Sequence, residues 1–182
     1  MDVSKIVSKH TPLYHLGFYV PNAKAFAQAH HELYGSGPYI ALENNDSYTY
    51  FHGEKVTTNM TIYTGWWKDI SVEIIQQNSD NESYLTENGR YGFHHICFGV
   101  SDVEAAVKEF AEYGVPVQMY NYDMAEFPFA YVDARETAGY YIELNPQMDF
   151  MSQIVKGWAV DWDGESNLFR SMADVDMSQM GQ

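Results

Sequence analysis

Tyr14-His15-Leu16-Gly17-Phe18-Tyr19-Val20-Pro21-Asn22 and His94-His95-Ile96-Cys97-Phe98-Gly99-Val100-Ser101-Asp102 superpose at a shift of 80 residues. Each is a short run of branched and aromatic residues, the composition of a strand. Each stops at Asn or Asp, side chains that start a helix by accepting a free backbone N–H. Helical spacing follows both times: Ala25, Phe26, Ala29 and Leu33 lead to Gly35, and Ala106, Val107, Phe110 and Tyr113 lead to Gly114. Glycine just past the last periodic residue ends a helix, because it takes the left-handed backbone without steric cost.

Three strand-like runs follow each helix. They lie around Tyr39–Leu42, Val56–Tyr63 and Ile70–Ile75, then around Val117–Tyr122, Phe129–Val132 and Tyr140–Leu144. The closing runs also match, Ser71-Val72-Glu73-Ile74-Ile75 against Tyr141-Ile142-Glu143-Leu144-Asn145. An internal repeat of this kind outranks local propensity as a guide to fold. The chain reads as an α+β fold of two β-α-β-β-β modules. Residues 1–77 form the first, 78–92 a polar linker ending in Gly-Arg-Tyr-Gly, and 93–148 the second. Residues 149–182 form a C-terminal extension with no counterpart. It carries Met151, Trp158, Trp162, Leu168, Phe169 and Met172, too apolar for a free end, so it is expected to dock and to fray only after about Asp174.

Composition limits the partners. Lys plus Arg number 10 against 25 Asp plus Glu, a formal charge of −15, and such a surface repels nucleic-acid backbones and anionic lipid. With 46% hydrophobic and 19% charged residues over 182 positions the chain can build a core, unlike a disordered one. Cys97 is the single cysteine, so no intramolecular disulfide can form. The opening MDVSKIVSKH lacks a signal peptide's apolar run, and no apolar stretch is long enough to span a bilayer. A cytoplasmic protein with neither nucleic-acid nor membrane partners is expected. Unpaired strand edges and exposed aromatics favour a homodimer.

Four residues occupy matched places in the repeat: His15 and His95 early in each first strand, Glu73 and Glu143 in each last strand. A carboxylate in an apolar strand needs a partner. Pairing the modules about a pseudo-twofold axis would bring two imidazoles and two carboxylates to one cavity, so the barrel-like mixed sheet is expected to curve around a metal. That donor set suits one divalent ion such as Zn, Ni, Co, Mn or Fe.

With these residues, the chain resembles the vicinal oxygen chelate superfamily, and within it the branch of glyoxalase I and methylmalonyl-CoA epimerase. The carrying segments are Val72-Glu73-Ile74-Ile75-Gln76-Gln77 before Gly92-Phe93-His94-His95-Ile96, and Phe129-Ala130-Tyr131-Val132-Asp133-Ala134-Arg135 before Tyr141-Ile142-Glu143. The resemblance covers roughly residues 11–148. It implies that His15, Glu73, His95 and Glu143 hold the metal, and that a ligand carboxylate takes the proton alpha to a bound carbonyl, Glu143 first and Glu73 second. The implied activity is that of a metal-dependent isomerase or lyase on a small carbonyl compound. An extradiol Fe(II) dioxygenase and a non-catalytic, resistance-type binding protein are the alternatives.

Strand parity then assigns His95 to the cavity and His94 to the opposite face. His10, His30, His31 and His52, without repeat partners, read as solvated or structural. Epimerase-like relatives carry a further Glu on the third strand of the first module. Here Thr57-Thr58-Asn59-Met60-Thr61-Ile62-Tyr63 offers none, and Glu43, Asp46 and Glu54 do not match the position, so Tyr63 or a mobile ligand carboxylate would serve instead. Lys55, Lys68, Arg90 and Arg135 are scattered rather than clustered for a phosphorylated cofactor. Tyr120, Tyr122, Phe127, Phe129 and Tyr131 suggest an apolar or aromatic substrate.

Overall fold

The computed structural model describes residues 11–124, 127–146 and 150–175. Strand β1 (Leu13–Tyr19) leads to helix α1 (Ala23–Tyr34), then to β2 (Tyr39–Phe51), β3 (Glu54–Trp67) and β4 (Ile70–Gln77). The second copy runs β5 (Gly92–Val100), α2 (Val103–Glu112), β6 (Val117–Asn121), β7 (Phe129–Asp133), a single turn α3 (Arg135–Ala138) and β8 (Tyr141–Pro146). The helices begin where the sequence marks them: Asn22 Oδ1 accepts the Ala25 N–H, and Asp102 Oδ1 accepts that of Ala105, each at 2.9 Å. Gly35 ends α1 at φ 69°.

The strands form one ring in the order β3-β4-β1-β5-β8-β7-β6-β2, closed because β2 also pairs with β3. Pairs β1/β4 and β5/β8 are parallel and the rest of the ring is antiparallel. β2 and β3 run together from Tyr39–Gly65 to Phe51–Glu54, whereas β2 meets β6 only at Tyr50–Tyr120 and Phe51–Met119. Both strands of the first hairpin exceed their expected lengths. Their added pairs, such as Asp46 with Asn59 and Ser47 with Thr58, are polar and show no apolar alternation to read.

The repeat is kept down to residue pairs. Leu16 faces Ile96 across the β1/β5 junction, flanked by His15–Cys97 and Gly17–His95. Gly17 lies beside Glu73 just as Cys97 lies beside Glu143. Each first strand also carries one more residue than its partner at equivalent places, Tyr14 on β1 and His94 on β5.

Tyr19, Met60, Ile75, Tyr84, Leu85, Met119, Tyr131 and Tyr141 pack together as the barrel's interior. Helix α1 covers a second cluster containing Val20, Ala27, Tyr63 and Ile74. Helix α2 covers a third, built on Val107, Phe110, Val132 and Leu144. Tyr120 and Tyr122 pack against that third cluster, outside the barrel, and so do not line the cavity as the sequence suggested. The extension docks: helix α4 (Phe150–Ala159) sets Ile154 and Val155 on Ile40, and strand β9 (Phe169–Arg170) pairs in parallel with Tyr39 and Ile40 of β2. His10 lies outside the described residues. Among the described residues no helix is long and apolar enough to cross a membrane.

Candidate metal centre

His15 and Glu73 come from the adjacent parallel strands β1 and β4, His95 and Glu143 from their counterparts β5 and β8. The barrel brings all four together, with ligand atoms within 4.8 Å of one another. His15 Nε2 stands 3.2 Å from His95 Nε2 and 2.8 Å from Glu143 Oε2. His95 Nε2 is 3.1 Å from the same Glu143 oxygen and 3.4 Å from Glu73 Oε2, which lies 3.7 Å from His15 Nε2. Ligands about 2.0–2.2 Å from one zinc-like ion are separated by roughly 3–3.6 Å; the 3.2, 3.1 and 3.4 Å spacings fall in that range, and the 2.8 and 3.7 Å ones lie just outside it. The chemistry of the donors fits too: two carboxylates side by side in a buried site need positive charge between them.

Without a metal, protons take that role. Burial works against an imidazolium at His95, yet hydrogen bonds and charge from Glu143 and Glu73 hold its pKa above the usual histidine value. Burial likewise raises a carboxyl, but His15 and His95 outweigh it and keep Glu143 well below the usual range. The two carboxylates are not equivalent. The Glu143 side chain is 8% exposed and touches both imidazoles closely, while Glu73 is 19% exposed and sits farther from each.

The site opens into a cavity of about 310 Å³. Glu73 and Glu143 reach it, Met60, Ile62, Ile75, Phe127 and Phe129 line its walls, and Phe150 and Met151 of α4 close one side. Asn45, Ser47 and Asn145 supply its neutral polar groups, and among the described residues no lysine or arginine lines it.

Phe127, Phe129 and Tyr131 line the cavity as the sequence suggested, while three residues that the sequence did not assign to the metal site stand beside its ligands. Tyr84, from the polar linker, and Tyr131 turn their rings inward 5.0 Å apart beside the carboxylates. The Tyr131 hydroxyl lies 3.4 Å from His95 Nε2. Burial, with the charges of Glu143 and Glu73 nearby, raises its pKa and keeps it protonated. The third is His94, which does not face away as strand parity predicts. It is the extra residue of β5, and a bulge of this kind breaks the alternation of faces. Its ring is buried among Tyr19, Tyr84, Tyr131 and Tyr141.

The other expected residues lie elsewhere. Tyr63 packs beneath α1 and donates a short hydrogen bond to Glu43, so it cannot serve the metal site as a base. His30 and His31 bond the Ser36 hydroxyl and carbonyl. His52 pairs with Glu87 at 2.6 Å, and Arg135 pairs with the same carboxylate and with Asp133. These are structural contacts, as expected of histidines without a repeat partner.

Among solved structures, a hypothetical protein from Bacillus halodurans C-125 is similar at 19% identity and a TM-score of 0.53, over 78% of this chain and 97% of its own. A methylmalonyl-CoA epimerase from Mycobacterium tuberculosis is similar at 13% identity and a TM-score of 0.50, over 78% and 91%. At such identities these likenesses speak for the fold alone. No curated protein matches the sequence significantly. The model of the Glyoxalase/Bleomycin resistance protein/Dioxygenase superfamily matches residues 14–131, a span that includes three of the four clustered ligands, and the chain belongs to that superfamily.

Proposed function

We propose that this protein is a divalent-metal-dependent isomerase or lyase that removes a proton alpha to a carbonyl in a small, apolar, uncharged molecule. The observation that carries the reading is the position of the four-ligand cluster against a mainly apolar cavity that, among the described residues, no lysine or arginine lines. His15, His95, Glu73 and Glu143 would hold the ion. When bound it supplies Lewis-acid polarisation of a carbonyl oxygen. The apolar walls exclude water and orient the substrate. Tyr131, kept protonated, can donate a hydrogen bond to an oxygen beside His95.

A carboxylate of the cluster accepts the proton. The family resemblance ranks Glu143 first. The packing supports the other order, because Glu73 is the more exposed and the more loosely held of the two and can swing toward substrate at lower cost. The fourth protein ligand counts against an extradiol dioxygenase, whose 2-His-1-carboxylate iron keeps more positions open. Retention of all four ligands counts against a purely binding, resistance-type protein. Among the described residues no lysine or arginine lines the cavity, so a bound metal would be the positive charge that meets the substrate's oxygens. Homodimerisation and a cytoplasmic location belong to the same proposal, and light scattering across a dilution series reads the first.

The test is proton–deuterium exchange alpha to the carbonyl, in D2O, with protein loaded with Ni, Co or Zn and a panel of neutral aromatic and aliphatic hydroxyketones and thiohemiacetals. Glu73→Gln keeps an oxygen ligand but not the base and should slow exchange by about 10²–10⁴-fold, with a milder effect from Glu143→Gln. The reverse order would reassign the base to Glu143. Metal-loaded protein that binds these compounds and exchanges none of them would overturn proton abstraction.

A further inference from the structure

His94 carries an inference that follows from which atoms can donate. Its Nε2 lies 3.3 Å from the backbone carbonyl oxygen of Tyr84, and its Nδ1 lies 3.0 Å from His95 Nδ1. A carbonyl oxygen only accepts, so the proton of a neutral His94 sits on Nε2. His94 Nδ1 is then a bare acceptor, and His95 must donate to it from its own Nδ1. A neutral His95 protonated on Nδ1 leaves Nε2 bare, and Nε2 is the nitrogen that faces His15, Glu73 and Glu143.

We propose that His94 is a positioning residue: it hands the tautomer choice of the Tyr84 carbonyl on to His95, so that His95 presents a free Nε2 lone pair to the metal. The proposal rests on the metal reading above for its purpose, although the hydrogen-bond chain stands without it. The fold builds the chain from two devices. The extra residue in β5 turns both neighbouring imidazoles to the same side of the sheet. The linker then crosses the barrel's interior with Tyr84 buried, which brings its carbonyl to the second ring. Four tyrosine rings surround His94 at centroid distances between 4.8 and 6.4 Å and fix its plane. Hydrogen-bonded partners of metal-bound histidines fix ring orientation and basicity, and their loss weakens metal binding by about 10- to 100-fold.

Two measurements test this. The first uses the wild-type protein without metal, at a pH where His95 is neutral. Ring nitrogen spectra of ¹⁵N-histidine-labelled protein should show His95 protonated on Nδ1 and His94 on Nε2; His95 protonated on Nε2 overturns the proposal. The second compares Ni and Zn affinities by competition with a chromophoric chelator. His94→Phe fills the aromatic cage without an acceptor and should lose about 10- to 100-fold in affinity. His94→Asn can offer its side-chain oxygen near the place of Nδ1 and should recover most of it. Equal affinities for wild type and a folded His94→Phe overturn the proposal while leaving the metal site intact. A wild type with the expected tautomers that binds no metal overturns the metal reading and leaves the hydrogen-bond chain standing.

Discussion

Gly17 on β1 lies opposite His95 on β5, and a Cβ placed on Gly17 would stand 1.9 Å from the His95 ring. The glycine leaves the space that the imidazole fills. Gly17→Ala is therefore expected to force His95 off its position, costing about 1–3 kcal/mol of stability as overpacking does and most of the metal affinity. Gly157→Ala is the matched control. It sits in α4 with nothing within 4 Å, and replacing a mid-helix glycine by alanine stabilises by up to about 1 kcal/mol. Urea titrations of both variants, with metal content measured in parallel, check the contrast. A Gly17→Ala protein with unchanged metal affinity would show that the ring has another place to go.

Metal removal should be felt as lost stability. The protein is expected to bind about one divalent ion per chain, and an ion held at 100 times its Kd stabilises by about 2.7 kcal/mol. A chelator should lower Tm accordingly, and His15→Ala or His95→Ala should abolish both the binding and the shift. Elemental analysis beside calorimetry reads both quantities. An unchanged Tm on chelation, in protein shown to have held metal, contradicts the coupling.

The same site sets a pH dependence with a definite sign. In metal-free protein the pKa of His95 is raised by its carboxylate partners over the opposing effect of burial. Its contribution to stability is complete below about pH 6.5, where unfolded histidine is also protonated, and is lost as pH rises through the raised folded value. The Tm of metal-free protein should fall across that window, while loaded protein, whose positive charge does not titrate away, should hold steady. Metal uptake should also release protons, because the ligand imidazole must be neutral. Calorimetry in buffers of different ionisation heat counts them, and uptake without release would contradict the assignment of His95.

Much of this was legible in the sequence, and the exceptions have physical reasons. Asn22, Gly35 and Asp102 announced the helix ends because capping is local chemistry. His15, Glu73, His95 and Glu143 announced themselves because a repeat aligned them. His94 was misplaced because parity counting assumes an unbroken pleat, and one extra residue breaks it. Nothing local marks that insertion, although its twin Tyr14 in the other copy gives the symmetric hint. Tyr84 was hidden in a polar segment whose composition reads as a loop, since only the closed ring supplies the interior it enters. The outer half of the β2/β3 hairpin escaped notice because a polar ladder has no apolar stripe.

The extension should prove part of the fold rather than an appendage. Ile154 is 5% exposed and packs with Ile40 and Val155, while Ser152 hydrogen-bonds Ser71 beneath the strand pair that positions Glu73. Ile154→Ala is expected to cost about 2–5 kcal/mol, the usual range for a buried isoleucine. Denaturant unfolding measures it, and a loss below 0.5 kcal/mol, the scale of ordinary surface changes, would mean that α4 is only loosely seated.

The ring is fastened by a clasp. Where β2 meets β6 the join is Tyr50–Tyr120 and Phe51–Met119, with the two tyrosine rings nearly parallel at 13° and 5.2 Å apart. Every other junction in the ring runs longer. The barrel's girth is thus fastened on strands that carry none of the four metal ligands. A substitution at Tyr50 or Tyr120 would therefore act on how the ring is shut, from outside the chamber, without touching a residue that holds the ion.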